Sequence, residues 1–106
     1  MKIRYAVALA AMLLPVPVEA QPHLKGSEFL SACTIPEQEW IGFCHGYVQA
    51  VFDGIRRPGE NYCVPEGVTR AQIVGDVVTM LASTPATEDL SAYSVVYAVL
   101  LQRYPC

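Results

Sequence analysis

The stretch Trp40-Ile-Gly-Phe-Cys-His-Gly-Tyr-Val-Gln-Ala-Val-Phe-Asp-Gly-Ile55 decides how this chain folds. Ile41, Cys44, Val48, Val51, Phe52 and Ile55 recur at the spacing of a helix that buries one broad apolar stripe. The run is too long for a typical strand. A second row, Gly42, Gly46, Ala50 and Gly54, repeats every fourth position on the same helix. Each interior glycine costs about 1 kcal/mol of helix propensity relative to alanine. The row therefore predicts close approach of another helix or loop to the backbone, the alternative being a groove that admits a partner's side chain.

Working outward, Thr34-Ile-Pro-Glu37 has the spacing of a capping box with proline in the first turn, which predicts a helix start near Pro36. Arg57-Pro-Gly59 ends that helix near Arg56, where two arginines complement the terminal carbonyls. A short helix capped by Ser27 carries Phe29 and Leu30 and runs to about Ala32, before which residues 21–25 read as a loose leader. Thr69-Arg-Ala-Gln72 is a second capping-box spacing, followed by Ile73, Val74, Val77, Val78 and Leu81 on a helix that ends near Ala82. Gly75 leaves a notch for close packing there. Residues 83–89 form an acidic, turn-rich loop, with Asp89 expected to cap a last helix over about residues 90–104. That last helix is apolar on nearly every face, so it belongs at the centre of the fold or at an interface. The expected fold class is all-α, a small four-helix domain whose first helix is short.

Residues 1–20 read as a cleavable signal peptide: Lys2 and Arg4, an apolar run from Ala6 to Leu14, and a small-residue cleavage site at Val18-Glu-Ala20. The apolar run is too short to span a bilayer, so no membrane insertion is expected after cleavage. No cysteine adjoins the cleavage site, which argues against a lipid anchor and for a periplasmic location. The remaining piece, residues 21–106, is one small domain of a size that often needs covalent staples. Cys33, Cys44, Cys63 and Cys106 are expected to form two disulfides in that oxidising space. Three pairings are open. Cys33 with Cys44 and Cys63 with Cys106 is the one expected, its shorter loop contributing about 3 kcal/mol and its longer loop about 4.

Of the ten acidic residues, nine follow the signal peptide, against Lys25, Arg56, Arg57, Arg70 and Arg103. A nucleic-acid partner is excluded in this reading, because phosphate binding needs a basic surface. A basic protein partner fits instead.

Three cysteine-centred signatures stand in order: Cys44-His-Gly-Tyr47 inside a helix, Cys63-Val-Pro65 ahead of a helix opening with Val68-Thr69 and Gln72, and the terminal Tyr104-Pro-Cys106. Asp53 stands nine residues beyond Cys44. Together these resemble the Rap/Tai family of immunity proteins, and the match runs from Phe29 to Cys106. The resemblance implies a small helical, disulfide-bonded periplasmic protein that forms a homodimer. It also implies a protein partner, a peptidoglycan amidase delivered by type VI secretion, which the immunity protein binds and blocks. The same domain is used by exported proteins without an evident toxin, so a small periplasmic chaperone or stress protein is the alternative function.

No catalytic residue, metal site or cofactor is expected. Cys44 and His45 are adjacent in a helix and point about 100° apart, so they do not face each other as nucleophile and base. No short Cys-x-x-Cys or His-x-x-x-His spacing supports a metal site with His23 or His45. Asp53 is expected to bond a nearby backbone group or Arg56 rather than pair with Asp76. Tyr47, Tyr93, Tyr97 and Tyr104 are expected to pack in the core with their hydroxyls at its edge. Partner contacts are expected on two loops, through Arg57 and Tyr62 in Arg56-Arg-Pro-Gly-Glu-Asn-Tyr62, and through Glu88 and Asp89 in Ser83-Thr-Pro-Ala-Thr-Glu-Asp89. In that reading the acidic loop enters the cleft of a basic amidase and the other loop touches its rim.

Overall fold

The computed structural model describes residues 23–54 and 56–106. The expected signal peptide, residues 21 and 22 of the leader, and Ile55 of the apolar stripe lie outside the described residues. Four α-helices follow in order: α1 (Gly26–Cys33), α2 (Gln38–Asp53), α3 (Arg70–Ser83) and α4 (Ala92–Arg103), with a 3-10 turn at Pro85–Asp89 between α3 and α4. None of the described helices is long and apolar enough to cross a membrane.

α1 starts two residues earlier than the Ser27 cap predicts. Lys25 is the extended residue ahead of it, and the Lys25 backbone N–H donates to the Glu28 carboxylate at 3.1 Å. The leader is not loose from Leu24 onward. The Gly26 N–H donates to the Leu90 carbonyl and the Ala92 N–H to the Leu24 carbonyl, both at 2.7 Å, so the start of α1 runs antiparallel to the start of α4. Gly26 is required there: a Cβ would lie 2.6 Å from the Thr87 carbonyl oxygen and 2.8 Å from a Leu81 methyl.

Thr34 ends α1 instead of opening α2. Its hydroxyl donates to the Leu30 and Ser31 carbonyls at 3.0 Å, which occupies the side chain a capping box would have used. α2 then begins behind Glu37 with no side-chain cap. It buries Cys44, Val48 and Val51, and Gly54 closes it, a shorter helix than the one expected to run to Arg56. The Thr69 capping box is present, with the Gln72 N–H donating to the Thr69 hydroxyl at 3.1 Å and the Thr69 N–H to the Gln72 side-chain oxygen at 2.7 Å. α3 buries Ile73, Val77 and Leu81, a stripe of period four.

α4 is the central helix. Ala92, Val95, Val96, Tyr97, Val99 and Leu100 are all buried, and the helix touches α1, α2 and α3. Partners on several sides explain why its sequence shows no polar face. Its cap is Ser91, whose hydroxyl accepts from the Ser94 N–H at 3.1 Å, and not Asp89, which the 3-10 turn carries away from the helix start.

Two disulfides staple the domain. Cys33–Cys44 joins the end of α1 to the middle of α2, and Cys63–Cys106 joins the long α2–α3 loop to the chain's last residue. A backbone bond from Cys63 N–H to the Tyr104 carbonyl at 2.8 Å and a bridge between Tyr62 and Pro105 hold the second junction in register.

Candidate partner-binding surface

The loop after α2 is pinned to the core by two tyrosines. The Tyr62 hydroxyl donates to the Phe52 carbonyl at 2.7 Å, and the Tyr97 hydroxyl donates to the Glu60 carboxylate at 2.8 Å while accepting from the Arg57 N–H at 3.2 Å. For Tyr97, the Arg57 N–H favours the phenolate, but burial and the Glu60 carboxylate outweigh it and hold the phenol above its ordinary range. Tyr62 is only 2 % exposed, and its ring packs edge-on against Tyr97 and obliquely against Phe52. This corrects the expectation that Tyr62 sits at an interface rim: its ring is the plug that fastens the loop. Arg57 is exposed, with its guanidinium 5.9 Å from the centre of the Tyr97 ring. Arg56 lies 4.0 Å over Tyr62, and Asp53 accepts from the Gln49 amide at 3.1 Å rather than pairing with Arg56.

The acidic loop is ordered as the 3-10 turn. Its Thr87 and Glu88 backbone lies against Gly26, Asp89 is exposed, and Glu88 is half-buried. This puts Glu88 and Asp89 beside the start of α1, whereas Arg57 follows the far end of α2.

A feature that the sequence reading missed lies on the first two turns of α2. Trp40, Ile41 and Phe43 are 38, 39 and 41 % exposed, the Trp40 and Phe43 rings meet edge to face at 6.1 Å, and Phe43 continues to Tyr47 at 6.1 Å. Burial and the neighbouring Tyr93 charge push the Tyr47 phenol up against an opposing Tyr93 backbone bond. Between these rings and α1 runs an open apolar groove of about 450 Å³, floored by Leu24, Ala32, Ile35, Trp40 and Phe43, with Glu28 in its wall. The spacing puts Ile41 in the buried stripe, but it stands at the exposed edge of that stripe. The available signal was angular: the buried face centres on Cys44, Val48 and Val51, and Phe43, one residue before Cys44, stands about 100° away from it.

Of the glycine row, only Gly54 meets a close neighbour, the Tyr93 hydroxyl 3.4 Å from where a Cβ would stand. Nothing lies within 4 Å of a Cβ built at Gly42, Gly46 or Gly75, so neither helix uses these positions for close packing. Asp53 and Asp76 are not paired: Asp76 accepts from Arg103 at 3.1 Å and from the Tyr104 hydroxyl at 2.9 Å. All four cysteines are consumed in disulfides, which leaves no thiol beside His45. Among the described residues, no cluster of three His, Cys, Asp or Glu could hold a metal ion.

A family model described as Rap1a immunity proteins matches residues 25–106, the whole of the four-helix domain. No curated protein and no solved structure matches the chain.

Proposed function

The chain belongs to the Rap1a immunity protein family, and from this we propose that it is exported to a periplasm, where it binds a peptidoglycan amidase effector and occludes its active site. The match over the entire folded domain carries this reading. Occlusion requires a rigid surface and no chemistry of its own, and a small domain held by two disulfides supplies such a surface. The exposed Asp89 and half-buried Glu88 offer negative charge to a basic cleft, and Arg57 offers a separate cationic contact. Tyr62 acts behind Arg57, holding its loop in place.

The test is a cell-wall digestion assay with peptidoglycan amidases secreted by the same organism and its competitors. An equimolar amount of oxidised protein stops release of muropeptides, and the Glu88→Lys, Asp89→Lys double variant binds about tenfold more weakly or worse. Unchanged affinity in the double variant removes the 3-10 turn from the interface. Full amidase activity at saturating protein, together with suppressed aggregation of unrelated unfolded clients, would establish the chaperone function instead.

A further inference from the structure

We propose that the groove between α1 and the first turns of α2 is a docking site for a basic segment of the partner protein that presents one bulky apolar side chain. This deepens the effector-binding reading and rests on it for the identity of the partner.

Two independent features define the occupant. The floor is apolar and aromatic, built from Leu24, Ala32, Ile35, Trp40 and Phe43, and about 450 Å³ of open space accommodates a large aliphatic or aromatic side chain. Exposed rings grouped in this way mark an interaction site, whereas singly scattered ones do not. The rim is acidic. Glu28 stands in the wall, Glu39 lines the shallow depression under Trp40 and Phe43, and Glu37 precedes α2. Between residues 26 and 53 the chain has no lysine or arginine, and Glu37 and Glu39 make no ion pair among the described residues.

The α2 N-terminus accounts for one carboxylate in its first turn. Glu28 in the groove's own lining and Glu39 in the adjoining depression, which shares Trp40 and Phe43, border the aromatic floor with two negative charges. Lys25 is the nearby cation, while Arg56 and Arg57 follow the opposite end of α2, about 24 Å along its axis. Glu88 and Asp89, beside Gly26 at the start of α1, extend the same negative end of the molecule. A lysine- or arginine-flanked apolar anchor matches both floor and rim. An acidic segment is repelled by the rim, and a neutral one gains nothing from its charge.

Trp40 is the only tryptophan of the chain and sits on the groove floor, so it reports occupancy directly. Titrating the oxidised protein with a short amphipathic peptide of leucine and lysine should give a saturable blue shift of Trp40 fluorescence. The matching peptide of leucine and glutamate should give none. Phe43→Ala, and separately the Glu37→Lys, Glu39→Lys double variant, should each weaken the lysine peptide by roughly tenfold or more. Phe43 is exposed enough that its removal leaves the fold intact, which circular dichroism verifies. Equal response to both peptides, or no loss in either variant, overturns the proposal.

The amidase assay separates this inference from the functional reading. Full inhibition by the groove variants means that the effector docks elsewhere and the groove inference fails while the function stands. Absence of inhibition by the unaltered protein removes the amidase reading and leaves the peptide titration to decide the groove. Light scattering that shows Phe43→Asp converting a dimer to a monomer assigns the groove to a second copy and overturns the proposal.

Discussion

The Tyr62 hydroxyl donates a 2.7 Å hydrogen bond to the Phe52 carbonyl, so a side chain ten residues downstream satisfies the open end of α2. The same hydroxyl reaches the Val51 carbonyl at 3.4 Å. A buried ring thus both fills the core and terminates a helix whose own cap, Gly54, has no side chain to contribute.

Tyr62→Phe keeps the ring and removes this bond, leaving a buried carbonyl short of its partner. The expected loss is about 1–2 kcal/mol in urea unfolding. Tyr62→Ala also empties the space against Phe52 and Tyr97, and a loss of about 3–5 kcal/mol is expected. Near-equal effects of the two variants would mean that the hydroxyl, and not the ring, fastens the loop.

The glycines separate by environment. Gly42→Ala and Gly46→Ala place a methyl group in open space on a helix and should each raise stability by about 0.5–1 kcal/mol in the free protein. Gly26→Ala drives the same methyl into the Thr87 carbonyl and should lower stability by about 1–3 kcal/mol. Thermal unfolding of the three variants under oxidising conditions distinguishes the signs.

The two disulfides enclose loops of different length, with sequence separations of 11 and 43. Chain entropy predicts about 3 kcal/mol for Cys33–Cys44 and about 4 for Cys63–Cys106. Replacing each pair by serine should therefore cost more at the second site, where the last residue of the chain also loses its anchor. Guanidinium midpoints for the two double variants provide the comparison.

Three phenols should titrate late. Burial raises Tyr104, assisted by its bond to the Asp76 carboxylate; burial also raises Tyr47; and Tyr97 ends above its ordinary value despite the Arg57 N–H. Each holds its proton more tightly in the folded chain than in the unfolded one. Their contribution is complete below the ordinary tyrosine value near 10 and is lost as pH rises through the folded values. Stability should fall in alkali from about pH 10 upward, and ultraviolet titration should show part of the tyrosine absorbance change delayed relative to the denatured protein. Asp76→Asn should advance the Tyr104 component.

The helices, their order and the family resemblance were legible in the sequence because they depend on short-range patterns. The Ile73, Val77, Leu81 stripe and the Thr69–Gln72 box specify α3 locally, and the apolar run of α4 announces a helix with neighbours on several sides. Boundaries were less legible wherever a polar side chain had two possible clients. Thr34 closes α1 rather than opening α2, and Ser91 displaces Asp89 as the α4 cap, because each choice depends on where the next element lies.

For the candidate surface the balance reverses. Composition alone placed acid on one loop and arginine on another, but the folded molecule buries Tyr62 and leaves Trp40 and Phe43 exposed. Tyr62 sits in a loop, where exposure is the ordinary expectation, yet the Cys63–Cys106 junction draws it into the core. Trp40 and Phe43 sit on the helix that organises the fold, yet they stand exposed beside the stripe that it buries. Periodicity determined by itself that the described residues form four helices, the last of them engaged on several sides. Which apolar side chains those helices cover, and which they leave as a groove, was decided only by tertiary packing, because burial depends on what the neighbouring element brings to the contact.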